Sequence, residues 1–115
     1  MNALRNKVQL IGNLGNAPEV KTTENGKKLA RFSMATNETD TGRTGRKETE
    51  TTWHNIIAWG KVADIAEKFL TKGKEVALEG KLVNRSYTDK EGVKRYITEI
   101  QINELLMIGG EKPAA

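Results

Sequence analysis

Apolar residues in this chain recur at every second position along most of its length, and the period lengthens only once. Val8, Leu10 and Gly12 share one side of a first segment, with Lys7, Gln9 and Ile11 on the other. Ala30, Phe32 and Met34 alternate with Leu29, Arg31 and Ser33, and Trp53, Asn55, Ile57 and Trp59 alternate with His54, Ile56 and Ala58. Val76, Leu78, Gly80 and Leu82 oppose Glu79, Lys81, Val83, Arg85 and Tyr87, and Tyr96, Thr98, Ile100 and Ile102 make a last run. A two-residue period sends successive side chains to opposite faces, so these segments read as half-buried strands. The exception is Val62, Ile65, Ala66 and Phe69, at i, i+3, i+4 and i+7. That spacing is the apolar stripe of one short helix, from about Lys61 to Leu70.

Breakers divide the runs. Gly12-Asn13 and Gly15-Asn16 interrupt the first, and Pro18 keeps the next stretch out of any helix. Glu19 to Thr22 can pair again. Asn25-Gly26 predicts a type I′ hairpin, because both residues tolerate positive φ. The strand after it is expected from about Leu29 to Asn37, and another from Thr51 to Trp59. Between them, Glu38 to Glu50 holds no large apolar residue, and its charges nearly cancel. Strands resume on both sides, so this stretch reads as a mobile hairpin loop. In the helix, Asp64 near the start and Lys72 at the end suit the dipole, and Gly73 is placed to terminate it. Thr88 to Gly92 is a turn. From Gly109 to Ala115 nothing remains to pack, and a short flexible C-terminal end over 109–115 is expected.

At 115 residues the chain is expected to be one domain with a modest core. No apolar run approaches the ~20 residues that span a bilayer, and the N-terminus lacks a signal peptide's apolar stretch. With no cysteine, disulfides, thiolate zinc sites and cysteine nucleophiles are excluded, in keeping with a cytoplasmic address. His54 is the single histidine, which rules out a multi-histidine metal centre; on the opposite parity to Trp53 it reads as a packing or subunit-contact residue. The carboxylates show no spacing suited to acid–base chemistry, and no phosphate-cradling glycine loop occurs. Neither an enzyme nor a cofactor is expected. Nineteen Lys and Arg against fifteen Asp and Glu give a net charge of +4, which permits an anionic partner without requiring one.

Five principal strands with one helix between the third and fourth is the element order of an all-β OB-fold, a five-stranded Greek-key barrel whose face and loops commonly bind oligonucleotides or oligosaccharides. Four fragments then carry a resemblance. Asn6-Lys7-Val8-Gln9-Leu10-Ile11-Gly12-Asn13-Leu14-Gly15 followed by Pro18-Glu19-Val20 resembles the opening strand of bacterial single-stranded DNA-binding proteins. Trp53-His54 running to Trp59-Gly60-Lys61, with Ala63, Ala66, Leu70 and Lys72-Gly73, is similar to that family's third strand and helix. Glu79-Gly80-Lys81-Leu82 and Arg85-Ser86-Tyr87-Thr88-Asp89 are similar to its fourth strand and turn. The fragments are collinear from about Asn6 to Ile108, so residues 1–108 read as the binding domain. The resemblance implies sequence-independent binding of single-stranded DNA by a homo-oligomer, most often a homotetramer, with a dimer as the other possibility.

A base stacked on an aromatic ring contributes about 1–3 kcal/mol whatever its identity. Phe32 and Phe69 lie on apolar periodic faces and are expected in the core. Trp53 and Trp59 share parity with Asn55, and Tyr87 with Arg85; all three aromatics match positions where the family stacks bases. Tyr96 is left between surface and core, with its parity partners Ile100 and Ile102 favouring the core. Cations for the phosphates are expected from Arg5, Lys7, Arg31, Lys61, Lys72, Arg85 and Arg95, and from Arg43, Arg46 and Lys47 in the long loop. Arg85 leads, since arginine both pairs with phosphate and stacks.

The sequence departs from the family pattern twice. Asp40 stands where the family commonly has tryptophan, and a carboxylate neither stacks nor attracts phosphate. The chain also stops without the family's long acidic-tipped tail, so tail-mediated recruitment of other proteins is not expected. Two further readings fit a small OB domain: an accessory factor like primosomal replication protein B, and a module for protein contacts in which Trp53, Trp59 and Tyr87 are buried against a partner.

Overall fold

The computed structural model describes residues 4–40, 45 and 48–108. The C-terminal residues 109–115 and the loop cations Arg43, Arg46 and Lys47 lie outside the described residues. Strands β1 (Val8–Leu14), β2 (Glu19–Thr22), β3 (Lys28–Asp40) and β4 (Glu48–Trp59) precede helix α1 (Gly60–Phe69), and β5 (Glu75–Thr88) and β6 (Lys94–Met107) follow it. The sheet order is β1-β5-β6-β4-β3-β2, with β1 also pairing β3. Five strands therefore close on themselves, and short β2 hangs on the outside of β3. One contact in the ring is parallel, between β4 and β6, where Ile56 faces Ile100 and Ile57 faces Gln101. This is the expected OB-fold barrel, with its helix between the third and fourth strands of the ring.

The inward parity fills the barrel with Leu14, Ala30, Phe32, Met34, Ile56, Ala58, Val76, Leu78, Ile100 and Ile102. Closure is made by the end of β1, where Asn13 and Leu14 pair with Ala35 and Met34 after Val8 to Asn13 have paired with β5. So Gly12-Asn13 does not break the strand; it is where β1 changes partner. Gly12 permits the change, because a Cβ there would collide with the Ala35 carbonyl oxygen. Gly80 plays the same part on β5, beneath the Gln101 carbonyl, beside a register shift that sets Glu79 opposite Glu104 but Gly80 opposite Ile102.

Four expectations are corrected. The stretch Glu38–Glu50 is not all loop: Glu38, Thr39 and Asp40 pair with Glu50, Thr49 and Glu48. Threonines suit a ladder even without burial, and the Thr51 hydroxyl donates to Asn37 Oδ1 at 2.6 Å. The Asn25-Gly26 turn is not type I′, since Gly26 alone has positive φ, at 85°. Gly26 N–H closes on the Thr23 carbonyl and Thr23 N–H on Lys27, a type I turn followed by a glycine bulge. The helix ends with Leu70 in extended conformation, so Gly73 does not terminate it; the Gly73 N–H instead donates to the Leu14 carbonyl. Nor does Asp64 serve the helix dipole: it sits beyond the first turn and accepts from Lys28 at 2.6 Å.

The apolar stripe of α1 is also rotated from its expected position. Ala63, Ala66 and Leu70 are buried, whereas Phe69 is exposed. Two alanines bring the helix axis close to the barrel end, and that closeness turns the bulkier Phe69 outward. Gly80→Ala is expected to lower unfolding stability by about 1–3 kcal/mol, the usual penalty of overpacking where backbone cannot yield. Chemical denaturation checks this, and a loss under about 0.5 kcal/mol would mean the Gln101 strand moves freely.

Candidate nucleic-acid interface

Residues opposite one another on neighbouring strands point to the same side of a sheet, so the ladder registers lay out the barrel's outer face. On β3 and β4, Ala35 stands opposite Trp53, Ser33 opposite Asn55, Arg31 opposite Ile57 and Leu29 opposite Trp59. The face continues from β4 onto β6 through Gln101 and Glu99, and from β6 onto β5 through Val83, Arg85 and Tyr87. Trp53, Asn55, Arg31, Arg85 and Tyr87 thus share one surface across four strands. Trp53 is 61% exposed and Tyr87 47%. Trp59 is on the same face but half-buried, at the junction of β4 and α1.

Trp53 is seated rather than loose. A Cβ on Gly15 would collide with its indole and with the Ser33 hydroxyl at 2.7 Å, so the glycine is what lets the ring approach the segment after β1. Ser33 is fixed in turn, its N–H and hydroxyl both donating to Asn16 Oδ1, at 3.0 and 2.6 Å.

On the same face lies Glu99, the one buried charged residue among the described residues. Arg85 grips its carboxylate with two nitrogens, Nε to Oε1 at 3.1 Å and Nη2 to Oε2 at 3.2 Å. Arg31 reaches it from β3 with Nη1, at 3.2 Å from Oε2. These bonds push the Arg85 guanidinium, already strongly basic, further up. Two arginines on one carboxylate leave this centre with a single net positive charge.

The other expected cations fall into two groups. Lys7 pairs with Glu79 at 3.6 Å, and Arg95 pairs with Asp89 at 2.9 Å. Lys61, Lys72 and Arg5 are exposed and have no ion pair among the described residues; Lys61 lies in the first turn of α1, Lys72 follows the helix, and Arg5 precedes β1. His54 is half-buried on the inward parity, its Nε2 at 3.0 Å from the Thr36 hydroxyl. Tyr96, which its parity set toward the core, is 73% exposed, with Lys94 Nζ 5.7 Å from the ring centre. The reason is that β5 and β6 run past the end of the barrel, where neither parity faces a core.

The sequence matches the model of the single-strand binding protein family over residues 5–108. The chain belongs to that family. Single-stranded DNA-binding protein 1 of Chlorobaculum tepidum is 45% identical over 92% of this chain and 66% of its own length. Single-stranded DNA-binding protein 1 of Xylella fastidiosa is 45% identical over 90% of this chain and 77% of its own. The Xanthomonas campestris protein is 43% identical, and this chain spans only 61% of its length. Among solved structures, the Plasmodium falciparum SSB in complex with ssDNA superposes with a TM-score of 0.82 at 33% identity, over 95% of this chain and all of that one.

The sequence reading singled out the aromatic residues of this face but not Glu99. It was findable: it shares parity with Arg85 one strand away, and a carboxylate flanked by Thr98 and Ile100 near the barrel end has to be neutralised. Register across strands, which no single segment carries, was the missing information.

At the tip of the β5–β6 hairpin the Asp89 carboxyl is held below the usual carboxylate range, first by Arg95 and then by the Val93 and Glu91 amides. A lowered folded value means its support is full above the ordinary carboxylate range and is lost as pH falls through that lowered value. NMR titration of the Glu91 and Val93 amide shifts should therefore show a midpoint below that of an unstructured aspartate. A midpoint at or above it would exclude the charge-held turn.

Proposed function

We propose that this protein binds single-stranded DNA without sequence preference, and that binding, with no covalent chemistry, is what its barrel does. The observation that carries this is the exposed pair Trp53 and Tyr87 on one outer face, which they share with Arg31, Arg85 and Glu99. Bases stack on Trp53 and Tyr87 and on the accessible part of Trp59, while Arg31, Lys61, Lys72 and Arg5 lie toward the phosphates. A duplex hides the faces of its bases, so it competes poorly. The names borne by the curated relatives and the ssDNA complex of the Plasmodium protein support the same ligand. Asp40, in place of the family's tryptophan, removes one stacking contact near the long hairpin.

The protein acts as a homo-oligomer, a tetramer before a dimer. Among the described residues Val8 to Gly12 of β1 pair on one side only, with β5, which leaves a strand edge open there. Beside that edge, Ile11, Ala77, Leu105 and Leu106 line a cleft of about 660 Å³, and Ile11 and Leu106 are well exposed. A second copy of the chain offers the same edge and the same apolar face, the self-complementary arrangement that two-fold assembly requires. Joining several stacking faces along one strand raises avidity without new contacts.

Tryptophan fluorescence during titration with single-stranded homopolymer tests the ligand. Strong quenching that a duplex of equal length fails to produce is expected, with Trp53→Ala and Tyr87→Ala each weakening binding by about 1–3 kcal/mol. Unquenched fluorescence and no binding at low salt would transfer the face to protein contacts. For the assembly, Ile11→Asp is expected to shift the sedimentation coefficient to that of a monomer while the far-UV spectrum is kept. An unchanged coefficient would place the interface elsewhere.

A further inference from the structure

Charge and planarity give an arginine two ways to hold a nucleic acid, and the geometry around Glu99 separates them for Arg85. A phosphate is best gripped by a guanidinium fork, two N–H groups pointing the same way. The Nε–Nη2 fork of Arg85 already closes on both oxygens of Glu99. Glu99 is held beneath its partners, its side chain 5% exposed where that of Arg85 is 37% exposed. That side-on fork is thereby spent on Glu99, leaving the guanidinium plane and Nη1 for a ligand, with Tyr87 two residues along on the same strand side. Arg31 differs, for it spends only Nη1 on Glu99 and its Nε–Nη2 side makes no bond among the described residues.

We propose that Glu99 is a positioning residue that converts Arg85 from a phosphate clamp into a stacking platform, leaving Arg31 as the phosphate ligand of the pair. This rests on the reading of the face as the site for single-stranded DNA and assigns the work within it. The stacking surface then runs from Trp53 across Arg85 to Tyr87, and Glu99 takes the place on Arg85 that a phosphate would otherwise have. The ligand of Arg85 is a nucleobase, held by its π-face, and so its contribution is tolerant of base identity and nearly independent of salt.

The test is the salt dependence of binding to oligo-deoxythymidine, measured by fluorescence titration across a range of salt concentrations. Each phosphate contact on a single strand adds about −0.7 to the slope of log K against log salt. Arg85→Ala should weaken binding about five-fold or more at every salt concentration with the slope unchanged, and Arg85→Lys, which keeps charge but not the plane, should be as weak. Arg31→Ala should flatten the slope by about 0.7. Glu99→Gln, checked for folding by its thermal melt, frees the Arg85 fork and should steepen the slope by a similar amount. If Arg85→Ala flattens the slope and Arg85→Lys restores both slope and affinity, Arg85 is a phosphate clamp and the role is overturned. The lysine variant decides this even if Glu99→Gln unfolds. Wild-type protein that ignores the oligonucleotide would instead sink the reading of the whole face, and this role with it.

Discussion

The barrel closes through two residues, Asn13 and Leu14, and the face described above exists only because they do. Until they pair with Ala35 and Met34, the β3–β4 ladder meets β5–β6 only at the parallel contact of β4 with β6. The closing segment is bonded on both flanks. The Leu14 N–H donates to the Lys74 carbonyl, its own carbonyl accepts from Gly73, and the Gly15 N–H donates to Ser33. Backbone that leaves one strand for another must find a partner for each polar group it buries, and here it does so within three residues. Gly12 and Gly15 bracket the segment for separate reasons: the first lets β1 pass under the Ala35 carbonyl, and the second lets Trp53 lie over the chain. Closure and the seating of the exposed tryptophan are therefore one local event. A side chain at either glycine would disturb both.

The two long hairpins obey a different rule from the barrel. Beyond Asn37 and Thr51 on one, and beyond Leu82 and Ile100 on the other, no core lies under either face, and the ladders persist on backbone pairing and polar cross-strand contacts. Thr98 donates to Asn84 at 2.8 Å, and Asp89 gathers two amides and Arg95 at the tip. Such arms cost little hydrophobic burial and present aromatic side chains on both sides. Tyr87 faces the strand side of Trp53, and Tyr96 faces the opposite one. An arm of this kind extends the exposed surface past the barrel without enlarging the core.

That distinction also explains how far the sequence could be read. The two-residue period located all five ring strands and the side each residue takes, because alternation depends on chain geometry alone. It paired Trp53 with Asn55 on one strand and Arg85 with Tyr87 on another, and the ladder registers then join the two pairs on a common face. Parity does not report depth, however. Tyr96 has the parity of Ile100 yet lies four residues beyond it, outside the barrel. Phe69 has the spacing of a core residue, but Ala63 and Ala66 draw the helix close and rotate it outward. Most of what was missed is relational. Glu99 between Arg31 and Arg85, Lys28 against Asp64 and Glu67, and the partner change of β1 at Asn13 follow from which strands are neighbours. No window of sequence contains that fact.

Net charge would have misled in the same way. An excess of four positive charges suggests a surface that holds DNA by attraction. Yet many of the cations near the face are already matched: Arg31 and Arg85 share Glu99, Arg95 holds Asp89, Lys7 holds Glu79, and Lys28 lies between two carboxylates. A phosphate approaching most of these must displace a carboxylate tethered beside its partner at a high effective concentration, whereas Arg31 gives Glu99 a single nitrogen. Lys61, Lys72 and Arg5 meet no such competition among the described residues, and they stand at the edges of the barrel. Under the proposed function the aromatic side chains and Arg85 take the bases, and Arg31 with these unmatched cations takes the backbone. Flat, sequence-tolerant contacts with screened charge around them suit a ligand that must be held firmly, whatever its sequence, and given up again.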